Sequence, residues 1–250
     1  MGDFFKMQLN VYYSNSIVLS LFLFSYFVYS QNEFSNSQYY KIYDSFNLNQ
    51  NLDVINGQEY IDVYKSLKRD NHKFYSSDDF FEGTVIYNSQ PYYGLKIKYD
   101  LLNDLIILES INQKVNYLSL NSQFVTEFII DNNKFVRLPI SPVITEFYKN
   151  GFFKESFKGK EFSLFIKNIK YKNEVISRRK VLYTFRDKEI YILSSKNQYY
   201  LIDKIKDVTD VLSLNKKQIQ LFYKENKKLF KKDKEQFLNK LFKLLEFNNV

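Results

Sequence analysis

The chain predicts a mainly β fold: an antiparallel meander forming a curved sheet, a half-barrel or two packed sheets, followed by two C-terminal amphipathic helices. Three observations carry this expectation. From Glu59 to Ile202, short runs of β-branched and aromatic residues alternate with turn formers, the pattern of consecutive hairpins. Asn dominates the separators, and Asn tolerates the positive φ that tight hairpin turns require. Beyond residue 204 the apolar period lengthens from two to between three and four, the spacing of one helix face.

The first β block comprises Thr84 to Tyr87, Tyr93 to Tyr99, Leu105 to Glu109, Val115 to Leu120, Phe124 to Ile130 and Lys134 to Leu138. Its separators are Asn88-Ser89, Asn103-Asp104, Asn112-Gln113, Asn121-Ser122 and Asn132-Asn133. Leu95-Lys96-Ile97-Lys98-Tyr99 alternates apolar with charged residues, so one side of that strand packs and the other meets water. Pro139 and Pro142 mark a break. The second block runs Phe152 to Phe157, Phe162 to Tyr171, Val181 to Phe185, Glu189 to Leu193 and Gln198 to Ile202, with Gly159, Asp187-Lys188 and Lys196-Asn197 as turns. The β domain therefore spans 56–203, with a sub-boundary falling near 139–150.

In the lysine-rich segment 204–250, Asp207 caps a short helix through Leu212. Ile219, Phe222, Tyr223 and Phe230 then recur at helical intervals. Asp233 followed by Gln236 resembles a capping box opening a helix with the stripe Phe237, Leu238, Leu241, Phe242 and Leu245. These stripes are expected to dock on the β core. A helical end also argues against a β-sandwich secretion module there.

The N-terminal 30 residues read as an export signal. Lys6 precedes the uncharged apolar run Ile17 to Tyr29, and polarity returns at Ser30-Gln31-Asn32-Glu33; a basic start, a short apolar segment and small exit residues are what signal peptides require. Cleavage after Ser30, with Val28 and Ser30 preceding the bond, starts the mature chain at Gln31. The rival reading, an uncleaved anchor, is weakened by Asn10, Ser14, Asn15 and Ser16, because a span needs about 20 mainly apolar residues. Residues 31–55, rich in Asn, Ser, Gln and Tyr, read as a poorly ordered arm.

Composition narrows the chemistry. An exported chain without cysteine has no disulfide, thiolate metal site, cysteine nucleophile or lipid-accepting cysteine, and the 22 Tyr and 25 Phe must supply much of the core. The net charge of +8 is concentrated at one end, with ten lysines from Lys216 to Lys243 against Glu225, Asp233 and Glu235. That end could meet anionic lipid, lipopolysaccharide or an acidic protein; a solvated helix face is the simpler reading. Export disfavours nucleic acid.

Asn56-Gly57-Gln58-Glu59-Tyr60, then Gly83, Val85 and Tyr87, Gln90 and Tyr92, Tyr99 and Asp100, and Phe135-Val136-Arg137-Leu138 together resemble an uncharacterised family of exported Bacteroidota proteins. The lysine-rich tail is similar as well. The chain departs from the pattern where Asn88-Ser89 replaces an Asp-Gly type of turn. The resemblance implies a β-rich, periplasmic or outer-membrane-associated protein and brings no activity or catalytic residue.

The chain offers few residues suited to catalysis. His72, the single histidine, sits in the polar stretch Arg69-Asp70-Asn71-His72-Lys73, which reads as a surface loop; no Gly-x-Ser-x-Gly elbow accompanies it. Asp78-Asp79 with Glu82 is the densest acidic cluster, but calcium loops alternate their ligands, and a solvated acidic turn explains it better. Glu59 with Asp62 would suit glycosidase chemistry only if the fold set a carboxylate pair across a cleft. The doublets Tyr39-Tyr40, Tyr92-Tyr93 and Tyr199-Tyr200 could stack on sugars or peptides, yet alternation already sends one of each pair inward. The sequence thus assigns no catalytic, cofactor-binding or metal-binding residue and no cofactor. Its leading reading is a non-enzymatic envelope binding or accessory protein whose partner is a protein, glycan or lipid, without a stable membrane anchor once the signal is cleaved. A periplasmic carrier of apolar ligands and an envelope glycan or peptide hydrolase are the alternatives.

Overall fold

A computed structural model describes residues 57–248 apart from 69, 110–116 and 178. The signal segment, the arm, Tyr39-Tyr40 and the Asn112-Gln113 separator lie outside the described residues. The described chain is mainly β: one open antiparallel sheet of eleven strands, followed by three helices.

The strands are β1 (Gln58–Glu59), β2 (Phe81–Tyr87), β3 (Gln90–Asp100), β4 (Leu105–Glu109), β5 (Tyr117–Ser119), β6 (Val125–Ile130), β7 (Asn133–Arg137), β8 (Phe152–Lys158), β9 (Phe162–Ser177), β10 (Lys180–Ser195) and β11 (Gln198–Leu201). Their spatial order is β1-β5-β4-β3-β2-β6-β7-β8-β9-β10-β11. The meander runs outward from β2 to β5, returns to the other side of β2 as β6, and continues to β11. Two of the turns work as expected: Asn88 and Ser89 have φ of 51° and 63°, and Lys196 and Asn197 have 50° and 61°, whereas Asn121-Ser122 is no hairpin turn, Asn121 capping a short 3-10 helix at φ −68° between two strands that do not pair. The turn expected at Asn132-Asn133 lies one residue earlier, at Asp131-Asn132 (48° and 57°). Both central residues with positive φ match the right-handed twist of the flanking strands. Gly94, at φ 67°, takes up the extra residue where the β2–β3 register shifts. Gly83 is needed for another reason: a Cβ there would lie 2.5 Å from the Ile129 carbonyl oxygen.

One expected turn is absent. Asp187-Lys188 lies in the middle of the 16-residue β10, which pairs residue for residue with β9 from Lys180↔Ser177 to Ser195↔Phe162. The two short strands expected there are one. The break near 139–150 is the connection between β7 and β8, which pair directly (Arg137↔Phe152).

Three clusters form the core. In the first, Phe128 and Phe135 stack with centroids 4.9 Å apart, Tyr99 meets each edge-on at 5.1 Å, and Phe152 abuts Phe128 at 5.3 Å. The second joins Leu164, Ile166 and Leu193 to helices α1 (Ile205–Val211), α2 (Lys216–Lys232) and α3 (Lys234–Asn248). The stripe Phe237, Leu238, Leu241, Phe242 and Leu245 is fully buried against it. Asp233 Oδ1 accepts the Gln236 N–H at 2.8 Å, capping α3, and Asp207 accepts the Lys204 N–H at 2.7 Å. The third cluster lies behind β8–β10, where Ile144 of the 138–151 connection covers Phe153, Phe165 and Ile192. With helices on one side and this connection on the other, β9 is buried on both faces from Leu164 to Lys170 and emerges into solvent beyond it.

The chain before β2 forms a strap. Its Tyr60 N–H bonds the Tyr117 carbonyl (2.9 Å), Lys65 and Leu67 bracket Tyr183 of β10, and Tyr75 returns to Tyr99 of β3 (2.9 Å).

Candidate functional site

The polar stretch before Phe74 is not the free surface loop its composition suggests. The Asn71 side-chain amide imitates a neighbouring strand, donating to the Phe185 carbonyl at 2.8 Å and accepting the Phe185 N–H at 2.6 Å. Lys73 is buried, drawn in by Asp62 at 2.7 Å and Asp100 at 3.5 Å, with its ammonium over the rings of Tyr60, Tyr64 and Phe74. Buried charges persist where such partners surround them.

With the strap pinned this way, a cleft of about 810 Å³ opens between residues 70–76, strands β9 and β10, and the first turn of α3. His72 projects from the strap, Asn168 and Lys170 from β9, Asp187, Glu189 and Tyr191 from β10, and Lys234 from α3. Glu189, Tyr191, Asn168 and Lys170 share a side because strand side chains alternate and Glu189 pairs directly with Asn168.

Most polar groups in the cleft have partners. Lys170 Nζ donates to the His72 carbonyl at 2.6 Å and lies 3.4 Å from Asp187. Lys234 Nζ donates to the Ile202 and Asp203 carbonyls at 2.7 and 2.9 Å and sits 4.6 Å from the Tyr191 ring centroid. Burial lowers the Lys234 pKa, opposed by Asp203 and Asp207. The Tyr191 hydroxyl donates to Glu189; burial first, and this carboxylate second, push its pKa up. Two buried atoms stand apart: His72 Nδ1 and Asn168 Oδ1 have no hydrogen-bond partner. Asn168 is only 9% exposed. Its amide donates a long bond of 3.4 Å to Glu189, leaving the carbonyl oxygen unused. His72 has a lowered pKa, from burial first and then from Lys170, opposed by Asp78 and by a hydrogen bond to the Phe74 backbone, so its ring is neutral at pH 7 and Nδ1 is the nitrogen left to offer a hydrogen bond.

The other sequence candidates are placed as follows. No carboxylate holds His72 Nδ1, so no relay is assembled on it. Asp78 pairs with Lys98 at 2.8 Å, Asp79 closes on Ser77, and Glu82 lies in β2; among the described residues no cluster of three or more His, Cys, Asp or Glu could hold a metal. Glu59 lies on the edge strand β1, whereas Asp62 pairs with Lys73. Tyr92 is in the first core cluster, and Tyr199 and Tyr200 pack on opposite sides of the sheet against the third and second. Of the ten C-terminal lysines, Lys234 alone is not exposed.

Sequence reasoning missed a second buried array. Asp104 accepts from Lys167 Nζ at 2.6 Å, from the Asn150 N–H at 2.9 Å and from the Tyr99 hydroxyl. Asp100, fully buried, accepts from Tyr60, Asn103 and two backbone amides. A signal existed: Lys167 is the single charge inside the apolar run Phe162–Ile169. These groups are saturated with partners and hold the β3–β4 corner to β9.

Among the described residues no helix is long and apolar enough to cross a membrane, which leaves strand-built membrane proteins unaddressed. No protein-family model, curated protein or solved structure matches the chain.

Proposed function

We propose that this chain is a non-enzymatic binding module of the cell envelope whose ligand seats in the cleft between the strap and β9–β10. The observation that carries the reading is the pair of unpartnered buried atoms, His72 Nδ1 and Asn168 Oδ1, lining one cavity. A buried polar group without a partner costs roughly 1–3 kcal/mol. Two in one cleft, beside Tyr75, Tyr191 and Glu189, supply hydrogen bonds and ring faces for a polar ligand.

The carrier alternative draws less support, because Phe128, Phe135 and Phe152 are fully buried and close on one another in the first core cluster, where an acyl chain would have to lie. The hydrolase alternative lacks an oriented base at His72. Export, cleavage after Ser30 and kinship with the Bacteroidota family belong to the same proposal and rest on the sequence.

The test is a titration of the full chain with peptidoglycan fragments, lipopolysaccharide and short peptides, following the His72 ring and Asn168 side-chain amide by NMR. Saturable shifts at both support the reading. A ligand that binds the folded chain and leaves both unmoved removes the cleft from it.

A further inference from the structure

The expected turn Asp187-Lys188 lies instead on an open sheet edge that runs from Arg186 to Glu189. Along β10 the backbone groups of Tyr183, Phe185 and Tyr191 point away from β9: the first bonds Lys65 and Leu67, the second Asn71, and the third accepts from the Ile202 N–H at 2.9 Å. Strand alternation places the N–H and C=O groups of Asp187 and Glu189 on the same outer side. Among the described residues these two have no outer partner, because β11 pairs only from Ile192 onward. From Phe185 to Tyr191 is six residues, so the gap is about 20 Å long at strand rise.

Four consecutive charged residues are a common guard against edge-to-edge pairing, and that reading accounts for the composition of the stretch. It does not account for a cavity on each side of it. The 810 Å³ cleft lies on the side of Glu189; a second cavity of about 270 Å³ borders the same residues on the side of Ile190, with Phe147, Tyr171 and Leu201 in its wall. The charges in the cleft are also unequal in their commitments. Lys170 and Lys234 are engaged by carbonyls, and Lys170 also by Asp187. Among the described residues Asp70 and Glu189 form no salt bridge; Glu189 accepts from the Tyr191 hydroxyl and, at 3.4 Å, the Asn168 amide, and acts on Lys234 only through space.

We propose that the open stretch of β10 accepts an extended segment of another protein as an added strand, with a Lys or Arg side chain entering the cleft toward Glu189 and Asp70 and alternate apolar side chains entering the Phe147–Ile190–Leu201 cavity. The inference rests on the cleft being a binding site and names its partner class. Main-chain bonds to Asp187 and Glu189 supply affinity, and the two cavities, reached by alternate side chains, supply selectivity. His72 and Asn168 then meet the polar side chains of the incoming strand.

The test is titration of the nitrogen-labelled full chain with synthetic decapeptides alternating Lys with Val, together with versions N-methylated at every second residue and acidic versions alternating Glu with Val. The Asp187 and Glu189 amides, fast to exchange in the free chain, are expected to become protected. Binding should weaken by about tenfold or more on N-methylation, on Lys-to-Glu exchange in the peptide, and in Glu189→Pro, which removes an outward N–H without touching the β9 ladder. Should that variant unfold, the N-methylated peptides put the same question to the unaltered protein. Binding indifferent to N-methylation overturns strand addition while leaving the cleft as a site. Failure of the folded chain to bind any basic peptide also overturns it, and shifts at His72 and Asn168 with glycan or lipopolysaccharide show separately whether the cleft binds. Protection of both amides that rises with protein concentration alone names a second copy as the occupant and overturns the proposal.

Discussion

Replacing Lys167 with Met should destabilise the fold more than any surface change. Lys167 and Asp104 are each 1% exposed and 2.6 Å apart. The Met side chain fills similar space but leaves the Asp104 carboxylate buried with two of its three donors, the Asn150 amide and the Tyr99 hydroxyl, and strips the Phe152 carbonyl of its 2.9 Å bond from Lys167. Removing one partner of a buried pair costs about 3–5 kcal/mol, against roughly 5–15 kcal/mol for a whole domain. With a urea slope of about 2 kcal/mol per M, the midpoint should fall by roughly 1.5–2.5 M with the slope unchanged. Combining K167M with Asp104→Asn neutralises the stranded charge and should recover about 2 kcal/mol. A midpoint shift below about 0.5 M for K167M, a loss under about 1 kcal/mol, refutes the reasoning, since it means water reaches Asp104.

Stability should fall as pH rises past 10: burial, then Asp104, raises the Tyr99 pKa well above its usual value, so only the unfolded chain releases that proton. The contribution is complete below pH 10 and lost above it at about 1.4 kcal/mol per pH unit for this one hydroxyl, while Lys167 and Lys234, lowered by burial, act oppositely up to about pH 10.4; urea midpoints from pH 9 to 12 that stay flat contradict this. Gly83→Ala should cost about 1–3 kcal/mol, measured by thermal melting, because its Cβ meets the Ile129 carbonyl and Ile97; an unchanged melting temperature would show that β2 and β6 can part. Asn168→Leu should stabilise by about 1 kcal/mol, relieving an unsatisfied oxygen, while abolishing ligand binding; a less stable variant that still binds reverses the assignment. Intact mass of the chain produced in a Gram-negative host should correspond to a start at Gln31, and a mass retaining Met1 to Ser30 converts the free module into an anchored one.

The strands and helices were legible where local pattern decides them. Lys96 and Lys98 flank Ile97 and fix the sides of β3, and Asp233 with the Phe237–Leu245 stripe fixes α3. Where a distant partner decides, the pattern misled. Asp187-Lys188 has turn composition, but pairing with Lys170 and Ile169 of β9 keeps it extended. His72 could be singled out as the lone imidazole, yet nothing local revealed that Asn71 would bond Phe185, 114 residues away, and turn the ring inward. Lys234 was hidden among nine other lysines because its distinction, bonding to carbonyls 31 and 32 residues earlier, is tertiary. Asn168 and Glu189 drew no notice because what distinguishes them, an unused buried oxygen and a place on an open edge, is set by tertiary partners.

His72, Asn168 and Glu189 line the cleft proposed to bind beside the open edge. The direct measurement is the imidazole and side-chain amide spectrum of the full chain under saturation with a basic, alternating decapeptide. His72 Nδ1 and the Asn168 amide should both shift, with the Asp187 and Glu189 backbone amides protected in the same titration. Saturable binding with all four unmoved contradicts the proposed cleft.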